Sequence, residues 1–336
     1  MRAPCVLLLA AAGTAPPVGG WEKLPPFPDR EGVAGAFAGV SHGALVVAGG
    51  ANFPGKKPWE GGTKAWTDAV FVLEQPDGRW KPAGKLPRPL GYGVSASHRD
   101  GVVCVGGSDP TRHHADAFQL GWKAGQLVTT ALPPLPRPVA NSCGALVGDV
   151  LFVVGGQETP DGLGLKTVFQ LDLSATELRW VAAPALPGPG RILATAAAFD
   201  GKLWVVGGAE LVRDGDRTTR RYLRDGYRLD PAAGWKRIAD LPHPVVAAPS
   251  PAPTHSGGFD LLGGDDGSQT QTPPDRHPGF SRTALRYDAA ADRWAPAGDL
   301  PAPRVTVPCV RWRDRWVVPS GEARPGVRSP EVWAFR

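Results

Sequence analysis

Apolar residues in this chain recur in short runs that climb to a paired glycine. The runs are Val46-Val47-Ala48-Gly49-Gly50, Val103-Cys104-Val105-Gly106-Gly107, Phe152-Val153-Val154-Gly155-Gly156, Trp204-Val205-Val206-Gly207-Gly208 and Asp260-Leu261-Leu262-Gly263-Gly264. A sixth is altered to Trp316-Val317-Val318-Pro319-Ser320-Gly321. The second glycines, continued by Gly321, stand 49 to 57 residues apart. Each run is too short for a helix and apolar throughout, as expected of a strand covered on both faces. Paired glycine then allows a bend that side chains oppose. No segment sustains a 3.6-residue apolar period, so the pattern predicts an all-β chain with helix nearly absent.

Each unit reads as four strands. In the fourth, residues 192–199 form the inner strand, Asp200-Gly201 a hairpin turn and residues 203–206 the second strand. Tyr227-Arg228-Leu229-Asp230 lies on the third, and the fourth begins near Trp235. Phe169 to Asp172 and Tyr287-Asp288 repeat the third-strand position. Trp80, Trp180, Trp235 and Trp294 repeat an outer one, each ahead of a Leu-Pro pair; Trp122 comes too early for that slot. These tryptophans are expected to pack between blades as core. A period near fifty residues with strand-like cores predicts a six-bladed kelch-type β-propeller. The C-terminus ends on a third strand, so Trp21-Glu22-Lys23-Leu24-Pro25 is expected to close the last blade and leave no free sheet edge. Residues 20–336 then form a single domain.

Composition narrows the function classes. The 44 glycines and 37 prolines among 336 residues suit short strands and many turns. The net charge of +5 is mild and its basic residues are scattered, which argues against nucleic acid. Residues 1–19 resemble a secretory signal, with Arg2 ahead of the apolar stretch from Val6 to Ala12, and predict a periplasmic or secreted protein. No later stretch is long enough to span a bilayer. Cys104, Cys143 and Cys309 lie within apolar strands and read as buried free thiols. The pattern leaves the oligomeric state open.

In antiparallel blades, the loops joining second to third strands share one rim with the blade-to-blade loops. The former are long and polar here: residues 51–66, 108–114, 157–166, 209–223, 265–281 and 322–329. Long loops on a rigid scaffold are a usual seat of function. Arg30, Arg88, Arg137, Arg191 and Arg304 approach the same rim. Two roles are open to them: a positive ring that attracts an anion, or bonding to carbonyls and to acids of neighbouring blades. Glu210 and Glu322 follow the glycine stops directly, as do Asp265 and Asp266. Glu322 shares one short loop with Arg324 and Arg328. A carboxylate among guanidinium groups can exchange protons while arginine holds an anionic substrate; an ordinary surface ion pair is the alternative.

The chain from Glu31 to Val40, the turn Asn52-Phe53-Pro54, the stretches Gly91-Tyr92-Gly93-Val94-Ser95 and Pro278-Gly279-Phe280-Ser281-Arg282, and the loop from Gly321 to Arg328 resemble the N-acetylneuraminate epimerases, or sialic acid mutarotases. The better-known members carry the Gly-Glu-Ala-x-Pro-Gly-x-Arg loop ahead of the strand that here begins at Glu31. Its C-terminal position resembles a cyclically permuted branch, and in a closed ring a moved cut point leaves the site in place. The resemblance implies an isomerase that exchanges anomers of N-acetylneuraminate or a related sugar acid, without metal or cofactor. It implies Glu322 and Arg328 as the catalytic pair. Asn52, Arg191, Glu210, Arg282, Arg304 and Arg324 are the candidate substrate-binding residues. Ser329 stands where many members have threonine.

Two other functions remain open. A copper radical oxidase shares the propeller and would draw on tyrosine, histidine and cysteine. Tyr227 and Tyr287 sit at repeat core positions, however, and only His113-His114 offers a histidine pair. A non-catalytic propeller binding a glycan or protein through the same rim is the other.

Overall fold

The computed structural model describes residues 18–336. The predicted signal over residues 1–19 lies outside the described residues but for its last two. Six four-stranded antiparallel sheets follow one another along the chain. Blade 1 is built from Phe37–Ser41, Ala44–Ala48, Ala69–Leu73 and Lys81–Lys85. Blades 2 to 5 repeat this order inner to outer, beginning at Val94–His98, Cys143–Val147, Thr195–Phe199 and Thr254–His255. The inner strand of blade 4 is shorter than expected, because Ile192 bridges Ala209 across the rim instead of joining the blade.

Blade 6 contains Val310–Trp312, Arg315–Pro319 and Val332–Phe335, and its outermost strand is Glu22–Leu24. The register is Glu22 with Ala334, Lys23 with Trp333 and Leu24 with Val332. The N-terminal strand thus closes the last blade, as the repeat predicts, and covers its edge. Leu24 is buried in a cluster with Val332, Ala334 and Trp312.

The outer tryptophans tie blades together. The indole N–H of Trp80 donates to Pro25 O, Trp180 to Pro133 O, Trp235 to Pro184 O and Trp294 to Ala239 O, each at 2.7–2.9 Å on the preceding blade. Trp122 sits on the third strand of blade 2 and donates instead to Glu74 Oε1. The three cysteines of the described residues are free and buried, and burial pushes their thiols up. The Pro58–Glu60 turn is the sole helical element among the described residues, and none is long and apolar enough to cross a membrane.

The double glycines act at the rim. In five blades the second glycine N–H donates to the next blade: Gly50 to Leu90 O, Gly107 to Val139 O, Gly156 to Arg191 O, Gly208 to Val245 O and Gly321 to Val33 O. In blade 6 the first glycine is replaced by Ser320, which keeps the left-handed backbone at φ 72°. Its buried hydroxyl accepts the Val33 N–H at 2.8 Å and lies 2.8 Å from Ser329 O as a donor. That substitution stitches the 322–328 segment to blade 1.

Closing the ring through Leu24 gives a test. Leu24→Ala should cost about 2–5 kcal/mol, the usual range for emptying a buried leucine site. The check is denaturant unfolding of wild type and variant side by side, with an unchanged midpoint as the contrary result.

Candidate active site at the channel mouth

A second ring lies just inside the rim. Six residues, one per blade, link around the axis through backbone hydrogen bonds. Tyr92 N donates to Gly35 O, Asn141 N to Tyr92 O, Leu193 N to Asn141 O, Ala247 N to Leu193 O, Thr306 N to Ala247 O and Gly35 N to Thr306 O, all at 2.6–2.9 Å. All six have a left-handed backbone, with φ between 53° and 67°. Tyr92, Asn141, Leu193, Ala247 and Thr306 line a cavity of about 370 Å³ at the mouth, a size suited to one small molecule. A narrower space of about 70 Å³ continues from the same ring into the channel. Gly35 is needed for a second reason: a Cβ there would meet the Tyr92 ring at 2.7–2.9 Å.

The second-to-third loops build the walls. Three of them form two-stranded pieces: Ala51–Asn52 with Ala65–Trp66, Ala209–Asp214 with Arg217–Tyr222, and Glu322–Arg324 with Val327–Arg328. In the last, Glu322 pairs directly opposite Arg328, which places both side chains on one face. Arg328 Nη1 donates to Glu322 Oε1 at 2.9 Å, and Gly326 N donates to the same oxygen at 2.8 Å. Arg328 Nε reaches Ala51 O at 3.3 Å and Nη2 the Tyr92 hydroxyl at 3.4 Å. Its guanidinium lies 4.8 Å from the Phe53 ring centroid. The Arg328 side chain is 4% exposed and that of Glu322 17%. A guanidinium has five N–H groups, so the three directed contacts leave two for a ligand. Glu322 Oε2 takes part in neither bond.

Lys64, from the blade 1 loop, lines the same cavity. Its Nζ stands 4.0 Å from the Tyr92 ring centroid and 4.5 Å from that of Trp66. Burial, then the Arg328 charge, push its ammonium down to about 8, while Glu322 acts in the opposite sense. Burial raises the Tyr92 phenol to about 12. Across the cavity lie Arg220, Asp265 and an apolar side made by Leu193, Val246 and Phe280. Asp265 accepts the Tyr222 hydroxyl at 2.8 Å. By formal charge, Lys64, Arg220 and Arg328 outnumber Glu322 and Asp265 by one, which favours an anionic ligand.

The sequence-derived residues separate into two groups. Glu322 and Arg328 meet in the cavity. The others are engaged around it. Asn52 Nδ2 donates to Gly32 O at 2.9 Å and Asp29 Oδ2 at 3.1 Å. Arg191 is bidentate to Asp225 at 2.8 and 3.1 Å and also reaches Gly207 O. Arg282 donates to Leu300 O at 2.7 Å. Arg304 holds Ser329 Oγ at 2.7 Å and pairs with Glu331, Glu210 pairs with Arg221, and Arg324 donates to Asp275 O at 2.9 Å. Arg88 and Arg137 pair with Asp116 and Glu158. Of the two roles open to the five rim arginines, Arg88, Arg137, Arg191 and Arg304 take the pairing role. His113 faces Gln157 O at 2.9 Å and His114 faces Asp109 at 2.7 Å, both outside the cavity. Tyr227 and Tyr287 are buried in the blade cores.

Sequence reasoning missed Lys64 and the ring residues. A signal existed: Gly35, Tyr92, Asn141, Leu193 and Thr306 each stand fifteen positions ahead of their blade's second glycine. Ala247 breaks the interval because blade 5 carries two extra residues.

Residues 20–129 match the family model "N-acetylneuraminate epimerase". Over 99 residues the chain is 48% identical to the N-acetylneuraminate epimerase of Salmonella enteritidis PT4, a match covering 26% of this chain and 25% of that protein. Over 110 residues it is 44% identical to the N-acetylneuraminate epimerase of Yersinia pestis (strain Pestoides F), covering 29% and 27%. The matches thus span about a quarter of the curated relatives' length. Among solved structures, that titled "Structure of YjhT" superposes with a TM-score of 0.67 at 15% identity, covering 93% of this chain and 99% of that one. The resemblance drawn from sequence motifs is met by these matches, and the superposition bears out the six-bladed propeller.

The electrostatic coupling inside the cavity is measurable. The Lys64 ammonium should titrate near 8 by heteronuclear NMR of the lysine side chain. In Glu322→Gln it should titrate lower still, because the carboxylate that favours the ammonium is gone and Arg328 remains. A Lys64 titration near the ordinary lysine value of about 10.4 would contradict the burial described here.

Proposed function

We propose that this protein is a mutarotase that exchanges the anomers of N-acetylneuraminate or a related sugar acid at the channel mouth. The observation that carries the reading is the ion pair of buried Arg328 with half-buried Glu322 inside a cavity with excess positive charge. Mutarotation opens a cyclic sugar at the anomeric carbon and recloses it on the other face. One proton must leave the anomeric hydroxyl and one must reach the ring oxygen, a task for acid/base side chains.

In this reading Arg328 anchors the sugar carboxylate with the N–H groups left over from Glu322, Ala51 O and Tyr92. Arginine suits that role because it is always charged and forked. The contacts at Ala51, Tyr92 and Phe53 fix its orientation before substrate arrives, which limits the ordering cost of binding. Glu322, held through Oε1, presents its other oxygen as the base at the anomeric hydroxyl. The ring of six forms the floor, and Leu193, Val246 and Phe280 offer an apolar wall to the substrate's uncharged side. The matches to N-acetylneuraminate epimerases support the reaction class. The 322–328 hairpin lies outside the matched residues 20–129, in keeping with a moved cut point in a closed ring. The signal-like residues 1–19 favour a periplasmic or secreted location.

Exchange between anomers, followed by proton NMR across a panel of sugars including N-acetylneuraminate, tests the proposal. Glu322→Gln should lower kcat by about 100-fold or more, within the usual range for an acid/base group. Arg328→Lys should mainly raise KM, since one forked contact is lost. Wild-type exchange rates in both variants would refute the assignment, and binding of the sugar without accelerated exchange would make the protein a glycan-binding propeller.

A further inference from the structure

The proposed reaction moves two protons, and the Glu322–Arg328 pair accounts for one acid/base group. Lys64 stands in the same cavity with no assigned task. It reaches the mouth from the blade 1 loop, beside the blade 6 hairpin. Its ammonium is wedged against the Tyr92 and Trp66 rings. Among the described residues no carboxylate lies within ion-pair distance of it, whereas Lys57 on the same loop pairs with Glu31. A lysine that only holds a loop has no need of a cavity shared with Arg328, a like charge that opposes its own.

We propose that Lys64 is a catalytic residue whose ammonium donates a proton to the sugar ring oxygen as the anomeric C–O bond opens. This rests on the mutarotase reading. The step balances. Glu322 takes the proton of the anomeric hydroxyl, and that O–H electron pair becomes part of the new carbonyl bond. The ring C–O pair leaves with the ring oxygen, which takes the proton of Lys64. On reclosure the freed hydroxyl returns its proton to the Lys64 amine and attacks the other face of the carbonyl. The carbonyl oxygen recovers the proton held by Glu322. Nothing is consumed, and both groups end as they began.

The surroundings suit this task. Burial and Arg328 bring the ammonium down to about 8, near the pH at which a proton donor is most effective. The groups facing it are Tyr92 from blade 2 and Glu322 and Arg328 from blade 6; Arg220 and Asp265 stand on the far side. Tyr92, raised to about 12 by burial, stays a neutral phenol across this range. The active form carries a protonated Lys64, so turnover should fall as pH rises through about 8.

The test compares wild type, Lys64→Arg and Lys64→Ala, each checked for thermal stability and sugar binding. The readout is anomer exchange as a function of pH, with the spontaneous rate subtracted. Lys64→Arg keeps the charge but cannot release a proton. Its kcat should fall about 100-fold or more, with KM little changed and the loss of rate near pH 8 absent. Methylamine should partly restore exchange to Lys64→Ala, because a free amine can fill the vacated space. Wild-type kcat in Lys64→Arg, with the fall near pH 8 intact, would overturn the inference and leave the mutarotase reading standing. A wild-type protein that exchanges no sugar of the panel overturns both.

Discussion

The ring of six backbone hydrogen bonds from Gly35 through Tyr92, Asn141, Leu193, Ala247 and Thr306 governs the mouth of this propeller. It closes only if the six blades close, and the blades close only because Glu22–Leu24 completes the last one. A left-handed backbone costs a non-glycine residue roughly 1–2 kcal/mol. Each hydrogen bond returns about 1 kcal/mol net. The ring is therefore close to neutral taken alone, and the packed blades hold it. Strain kept in this way at a functional site is a common arrangement. Here it presents one residue from every blade to a single cavity.

The candidate site gathers where blades 6 and 1 meet, which is also where the two ends of the fold are joined. Ser320 ties the hairpin to Val33, Arg328 reaches Ala51 O, and Phe53 covers the guanidinium. Lys64 enters from the blade 1 side. A break in the ring at this seam would separate Lys64 from Glu322 and Arg328. Fold closure and site assembly are thus one event. The buried ion pair follows the same logic: a charge pair out of water adds little stability by itself, but it fixes the direction of Arg328.

Much of this was legible in the chain. Periodic glycine stops gave the blade count, and the unpaired third strand at residues 332–335 gave the closure. Motif likeness singled out Glu322 and Arg328, which the fold brings into contact. The rim arginines show the limit. A sequence lists Arg191 and Arg304 near the mouth but not the partners that occupy them, Asp225 and Glu331, which arrive from other parts of the blades. Lys64 was hidden for the opposite reason. In a loop rich in glycine and lysine it looks solvated, and only the tertiary approach of Tyr92, beside its sequence neighbour Trp66, draws it partly out of water. The ring residues share no side-chain type, because their common property is a backbone angle; only their constant distance from the glycine stop betrays them.

The central claim is that this seam holds a sugar acid by its carboxylate with the reacting bond between Glu322 and Lys64. A crystal structure of the protein with a non-isomerising analogue of N-acetylneuraminate, one lacking the anomeric hydroxyl, tests it most directly. The account predicts the carboxylate on Arg328, the anomeric carbon beside Glu322 and the ring oxygen within hydrogen-bond distance of Lys64 Nζ. An analogue bound elsewhere on the propeller, or in the cavity with its carboxylate turned away from Arg328, would contradict it.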